Sequence, residues 1–196
     1  MKLLYSTQNQ GKLKEARDIL ASLGIEFLST ADFPQIKDLD VEETGDSFAE
    51  NAFLKAKTFA QKTNTLTIAE DFGLEVEALN GEPGVHSKRW LPGSETDKNK
   101  AIIEKLKDQD NRSARYVIVV CLYNPDTNES ELFEAEVKGQ IATEIKGAEG
   151  FGYDPIFIPD GYDQTFAELG TAVKNKIGHR ALALKKVKQW LQENKL

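Results

Sequence analysis

The sequence predicts an α/β fold, and three observations carry that prediction. The chain opens strand, polar loop, helix, strand. Its apolar residues then switch between helical and alternating spacing along the chain. Two long runs rich in β-formers are joined by Asn124-Pro125-Asp126-Thr127-Asn128, a turn composition that reads as a hairpin.

The elements follow in order. Leu3 to Ser6 reads as a short buried strand and Thr7-Gln8-Asn9-Gln10-Gly11 as a polar turn. Leu13, Ala16, Ile19, Leu20 and Leu23 recur at helical spacing, and Gly24 stops that helix before a second strand at Ile25 to Ser29. After a polar stretch from Asp38 to Asp46, Ser47 and Glu50 form a capping-box pattern that opens a helix through Phe59. Leu66 to Ala69 predicts a strand ending at Glu70-Asp71. Leu74, Val76 and Ala78 predict another, half exposed, before the Asn80-Gly81 turn. Thr96 to Lys107 reads as an amphipathic helix. The hairpin strands are Arg115 to Tyr123 and Glu131 to Lys138, with a further strand at Ile141 to Ile145 and a short apolar segment at Ile156 to Ile158. The last helix begins near His179 and sets Ala183, Leu184, Val187, Trp190 and Leu191 on one face.

Composition narrows the functional classes. The 196 residues carry 25 Lys and Arg against 32 Asp and Glu, a net charge of -7. That balance opposes nucleic-acid binding, where a basic face supplies most of the affinity. It is compatible with a small basic pocket for one triphosphate. The single cysteine, Cys121, lies in an apolar run, which fits a reducing, cytoplasmic setting. No apolar run approaches membrane-span length.

Four constellations carry candidate chemistry. Thr7 to Lys12 lies between a strand and a helix, where free backbone N–H groups and the helix dipole suit phosphate. The same residues also fit an ordinary turn capped by Asn9. Glu42-Glu43 and Glu70-Asp71 are acidic pairs of the kind that hold Mg²⁺, or solvated charges. Gly150 to Pro155 sets Phe151 and Tyr153 between glycines, as a base-stacking loop or a plugged turn. Lys174-Asn175 and His179-Arg180 offer donors to an oxygen-bearing ligand, although cations oppose the dipole at a helix start.

Taken together, these segments resemble the inosine triphosphate pyrophosphatase family, the non-canonical purine nucleoside triphosphate pyrophosphatases. The matching runs are Ser6 to Asn9 with Lys12, Glu42 to Gly45 with Phe48 and Glu50 to Ala52, and Glu70-Asp71 with Gly73 to Val76. Asn80 to Val85, Gly150 to Phe157, Pro159 to Gly161, Thr165 with Ala167 to Leu169, Lys174-Asn175 and His179 to Ala181 complete the set. The resemblance implies a long central mixed sheet flanked by helices, one pyrophosphatase domain over residues 1–196 with a substrate cleft between two lobes, and a homodimer. It implies Mg²⁺-dependent hydrolysis of dITP, ITP and XTP to the monophosphate and pyrophosphate. Thr7, Gln8, Asn9, Gln10, Gly11 and Lys12 would hold phosphate, and Lys55 with Lys88 or Arg89 would face the triphosphate. Glu42 and Asp71 would meet the metal, with Asp71 also the catalytic base. Phe151, Gly152, Tyr153 and Asp154 would hold the purine, with Lys174, His179 and Arg180 completing its pocket. The chain departs from the family in Phe72, where Ser or Thr is usual, and in Gly178, where Ser is usual. Phe72 would meet substrate without a hydroxyl donor, which implies a slower enzyme. The rival readings are a Maf-like pyrophosphatase of other base preference and a nucleotide-binding sensor.

Overall fold

The structure is a computed structural model and describes residues 1–194. Six strands form one mixed sheet in the order β2-β1-β3-β4-β5-β6, with helices flanking it. The strands are β1 (Lys2–Tyr5), β2 (Glu26–Ser29), β3 (Thr67–Val76), β4 (Ser113–Asn124), β5 (Glu129–Ile141) and β6 (Phe157–Pro159). The helices are α1 (Gln10–Leu20), α2 (Phe48–Thr63), α3 (Glu95–Lys105), α4 (Phe166–Ile177) and α5 (His179–Glu193). β1 runs parallel to β2 and to β3, whereas β6 runs antiparallel to β5. The predicted α/β fold with a mixed sheet is therefore present.

The chain divides into two compact units. The first holds Met1–Asp71, Ile118–Ala135 and the chain from Arg180 onward; the second holds Phe72–Val117 and Glu136–His179. Each has its own core. In the first, Leu4, Ile36 and Phe59 pack together with Leu28, Phe33, Leu39 and Val41 around them. In the second, Leu74, Val76, Ile102, Tyr116, Ile156, Phe157 and Phe166 are buried together. Cys121, fully buried in β4, has its thiol pushed up to about 12 by burial, which fits a packing role.

Local chemistry sets the element boundaries. Asn9 caps α1 by accepting from the Lys12 N–H, and Gly24 ends the 3₁₀ turn that follows α1 with a φ of 63°. Ser47 caps α2 as predicted, but Glu50 reaches back to the N–H of Asp46 rather than Ser47. Ser94 and Asp97 form a full capping box on α3.

Three expectations change. The segments predicted at Leu66 to Ala69 and Leu74 to Ala78 join in one strand, β3, which ends at Val76 before a 3₁₀ turn at Glu77–Leu79 and carries Glu70-Asp71 through the sheet because cations neutralise both acids. Residues 142–145 form no strand: β5 ends at Ile141, where the Arg112 guanidinium takes the carbonyls of Ile141 and Ala142. Helix α4 is an addition to the sequence reading, because Gly170 interrupts its periodicity. That glycine has φ 78° and ψ 168°, and the helix restarts at Thr171, whose N–H donates to Glu149.

Candidate active site

The first unit gathers the candidate phosphate and metal residues. The Thr7–Lys12 segment joins β1 to α1, with Gln8, Asn9, Gln10 and Gly11 exposed. Thr7 Oγ1 accepts from the Asn9 N–H at 3.2 Å, and Gln8 Nε2 donates to the Lys37 carbonyl at 2.5 Å, so both ends of the turn are tied. Lys12 lies in the first turn of α1, and its ammonium sits 2.8 Å from Glu70 Oε1.

Helix α2 supplies the second cluster. Lys55 Nζ donates to Glu43 Oε1 and to Asp71 Oδ1, each at 2.8 Å. One turn earlier, Asn51 donates to Asp71 Oδ2 at 3.3 Å while its own oxygen accepts the Gly45 N–H at 2.8 Å. Asn51 thereby couples the 43–45 loop to the end of the acidic pair. Within the Glu42-Glu43 pair, Glu43 is the residue that shares Lys55 with Asp71; Glu42 is exposed.

Strand geometry separates Glu70 from Asp71, because consecutive side chains leave a strand on opposite faces. Burial raises the Asp71 carboxyl above the ordinary aspartate value of 3.8, and Lys55 pulls it part of the way back. Burial also opposes ionisation of Glu70, yet Arg180 and then Lys12 hold its carboxyl well below the ordinary range. Lys55→Met removes the influence that lowers the Asp71 pKa. The acid limb of its residual kcat/KM profile is therefore expected to move to higher pH; an unmoved limb excludes Asp71 as the titrating group.

Arg180 belongs to this buried cluster. Its Nε lies 2.9 Å from Glu70 Oε2, its Nη2 2.9 Å from Glu70 Oε1, and its Nη1 3.3 Å from Glu15 Oε2. Its side chain is 5% exposed. Arg180→Ala leaves Glu70 buried without its strongest partner, so a stability loss of about 3–5 kcal/mol is expected. Chemical denaturation measures it; a loss below about 1 kcal/mol contradicts a structural role for the pair.

The second unit gathers the candidate base residues. Asp154 is fully buried. It accepts the Phe151 N–H at 2.9 Å, the Lys174 ammonium at 2.5 Å and the Tyr116 hydroxyl at 3.3 Å. Gly150 makes this possible: its φ is 82°, and a Cβ there would stand 2.2 Å from Asp154 Oδ2. Gly152 is clamped by α3, donating its N–H to Glu95 and accepting from Asn99. The Tyr153 hydroxyl donates to the Ser87 carbonyl at 2.9 Å. The Phe151 ring stays 39% exposed, with the Lys174 ammonium 4.1 Å from its centroid.

His179, the first residue of α5, is stacked between two aromatic rings. Phe72 lies 5.3 Å away at 29° and Tyr116 4.7 Å away at 19°. Phe72 thus takes part in fixing His179, and a hydroxyl side chain at that position would remove one face of the stack. Gly178 is explained by space: a Cβ would come within 2.5 Å of the Lys174 carbonyl. Lys88 and Arg89 are exposed, and the Lys88 carbonyl accepts from Lys98.

The predicted residues therefore fall into a phosphate and carboxylate cluster in one unit and an aromatic, oxygen-seeking cluster in the other. Sequence reasoning misses Asn51, Tyr5 and Glu15. Asn51 is detectable as a polar residue three after Phe48, on the helix stripe that also buries Ala52.

Comparison with known proteins agrees with this arrangement. A sequence profile of the Ham1 family matches residues 3–190. A protein of Symbiobacterium thermophilum named dITP/XTP pyrophosphatase is 44% identical over 187 residues, covering 93% of this chain and 91% of its own. The structure of a HAM1 protein from Coxiella burnetii superposes with a TM-score of 0.91 at 35% identity, covering 98% of this chain and 99% of its own. The Staphylococcus aureus Ham1 protein gives 0.90 at 36% identity, covering 99% and 100%. On the family profile, the near full-length sequence identity and the shared fold, this chain belongs to the Ham1 family.

Proposed function

We propose that this protein is a nucleoside triphosphate pyrophosphatase that hydrolyses deaminated purine nucleotides, dITP, ITP and XTP, to the monophosphate and pyrophosphate. The observation that carries the reading is the Glu43–Lys55–Asp71 arrangement, two partly exposed carboxylates held on one ammonium. The substrate class is supported by the name of the relatives, dITP/XTP pyrophosphatase.

Asp71 is the group assigned to take the proton of the attacking water. Its raised pKa makes it a stronger base than an exposed aspartate. Lys12 and Lys55 supply positive charge to phosphate oxygens, and the start of α1, where Gln10 and Gly11 are exposed, adds the positive end of the helix dipole.

The residues fit Mg²⁺. Glu43 and Asp71 lie close enough to share one ammonium, and among the described residues no three His, Cys, Asp or Glu side chains converge on one point. Two carboxylates completed by phosphate and water oxygens are the set that Mg²⁺ prefers. When bound, Mg²⁺ offsets phosphate charge and makes water more acidic.

On the base side, Phe151 offers an exposed ring for stacking, and Lys174 beside it offers a donor. Hypoxanthine and xanthine present an oxygen where adenine presents an amino group. A donor facing an amino group is left unpaired, which is costly in a buried pocket. Arg180, bound to Glu70 and Glu15, is assigned to holding the pocket rather than to touching the base. Pyrophosphate release from dITP, XTP, dGTP, dTTP and ATP tests the reading: dITP and XTP are expected to be preferred at least about ten-fold. Preference for dTTP favours a Maf-like activity, and binding without release favours a sensor.

A further inference from the structure

Glu70 is a buried carboxylate bonded to three other residues, Tyr5, Lys12 and Arg180, and the mechanism above leaves it without a task. Both its oxygens are held by the Arg180 guanidinium, its Oε2 accepts the Tyr5 hydroxyl, and its Oε1 meets the Lys12 ammonium at 2.8 Å. Glu15 binds the other side of Arg180 at 3.3 Å. The result is two cations and two carboxylates in one buried group. Lys12 and Glu15 reach it from α1, three residues apart and so on one helix face.

The components differ in stiffness. A guanidinium is a planar fork that fixes a carboxylate at two points, whereas a lysine ammonium rides on a long flexible stem. Arg180 and Tyr5 thus lock Glu70, and Glu70 locks Lys12. Exposure follows the same order: the Glu70 side chain is 4% exposed and that of Lys12 19%. An ammonium carries three donors, so a bond to Glu70 is compatible with bonds to phosphate oxygen.

We propose that Glu70 is a positioning residue for the triphosphate: it fixes the Lys12 ammonium at the start of α1, where that charge meets a phosphate group. The proposal rests on the phosphate role assigned to Lys12 under the proposed function. Losing a pre-placed ion–phosphate contact of this kind weakens binding roughly ten-fold.

The test compares Glu70→Gln, Lys12→Met, the double variant and Glu15→Gln. The readouts are KM for dITP, calorimetric binding of inorganic triphosphate with Mg²⁺, and thermal melting. Glu70→Gln is expected to raise KM and weaken triphosphate binding by roughly ten-fold. The double variant is expected to bind no more weakly than Lys12→Met, because Glu70 acts through Lys12. Glu15→Gln disturbs Arg180 and reaches Lys12 only through it and Glu70, so it is expected to melt earlier with a smaller rise in KM than Glu70→Gln. A loss of folded fraction lowers kcat but leaves KM alone, which separates positioning from stability. If Glu70→Gln does not fold, Tyr5→Phe removes one bond to Glu70 and no charge. A smaller rise in KM, absent in the Lys12→Met background, is then expected. Unchanged KM in Glu70→Gln, or in Tyr5→Phe where that variant replaces it, additive effects in the double variant, or a wild type that binds no triphosphate overturns the proposal. A wild type that binds triphosphate but releases no pyrophosphate from dITP overturns the proposed function instead, and calorimetry still reads the Glu70–Lys12 coupling.

Discussion

Asp71→Asn is expected to lower kcat for dITP by roughly 10²–10⁴-fold, the usual contribution of a positioned general base. That corresponds to about 2.7–5.4 kcal/mol of barrier. The substitution keeps the side-chain shape and one of the two oxygens that now accept from Lys55 and Asn51. It removes the carboxyl whose pKa burial pushes upward. The direction of the shift also predicts stability. Because the folded-state pKa is raised, the folded protein binds a proton more readily than the unfolded chain. The Asp71 contribution to stability therefore falls as pH rises from the ordinary aspartate range through the raised value. Above that raised value the ionised carboxylate is a net burden on folding, one that the non-titrating Asp71→Asn variant does not carry. Near-normal turnover in a well-folded variant removes Asp71 as the base.

Removing divalent metal is expected to have an effect of similar size. A metal on the phosphates contributes several kcal/mol of charge stabilisation, so chelation is expected to cut turnover at least about a hundred-fold. Added Mg²⁺ restores it. The two neighbouring glutamates differ in their surroundings: Glu43 shares Lys55 with Asp71, and Glu42 is exposed. Glu43→Gln is therefore expected to raise the Mg²⁺ concentration for half-maximal rate more than Glu42→Gln does. Full turnover in chelator, or the reverse order of the two variants, contradicts this assignment.

Most of the fold is legible in the sequence because local signals agree with the final packing. Asn9, Ser47 and Ser94 cap the helices they precede, and two runs of β-formers around a turn-forming segment mark the long hairpin. The exceptions have physical causes. Helix α4 is hidden by Gly170, which breaks the period and lets Glu149 start a second turn, and that turn places Lys174 against Asp154. β3 looks like two strands because charges interrupt its apolar run; only tertiary partners, Lys12, Lys55 and Arg180, let acids cross a sheet. The site shows the same limit. A pair such as Glu70-Asp71 is visible in the sequence, but its division into a buried anchor and a partly open base depends on partners as far away as Arg180. Phe72 is similar: its stack on His179 joins residues far apart in the chain, so residue type alone suggests only a missing hydroxyl.

Product analysis of dITP hydrolysis separates pyrophosphate release from stepwise loss of phosphate. With Mg²⁺ present, one equivalent each of dIMP and pyrophosphate is expected, with no inorganic phosphate and no comparable turnover of dATP. Release of phosphate with dIDP, or equal rates on dITP and dATP, would contradict the proposed function.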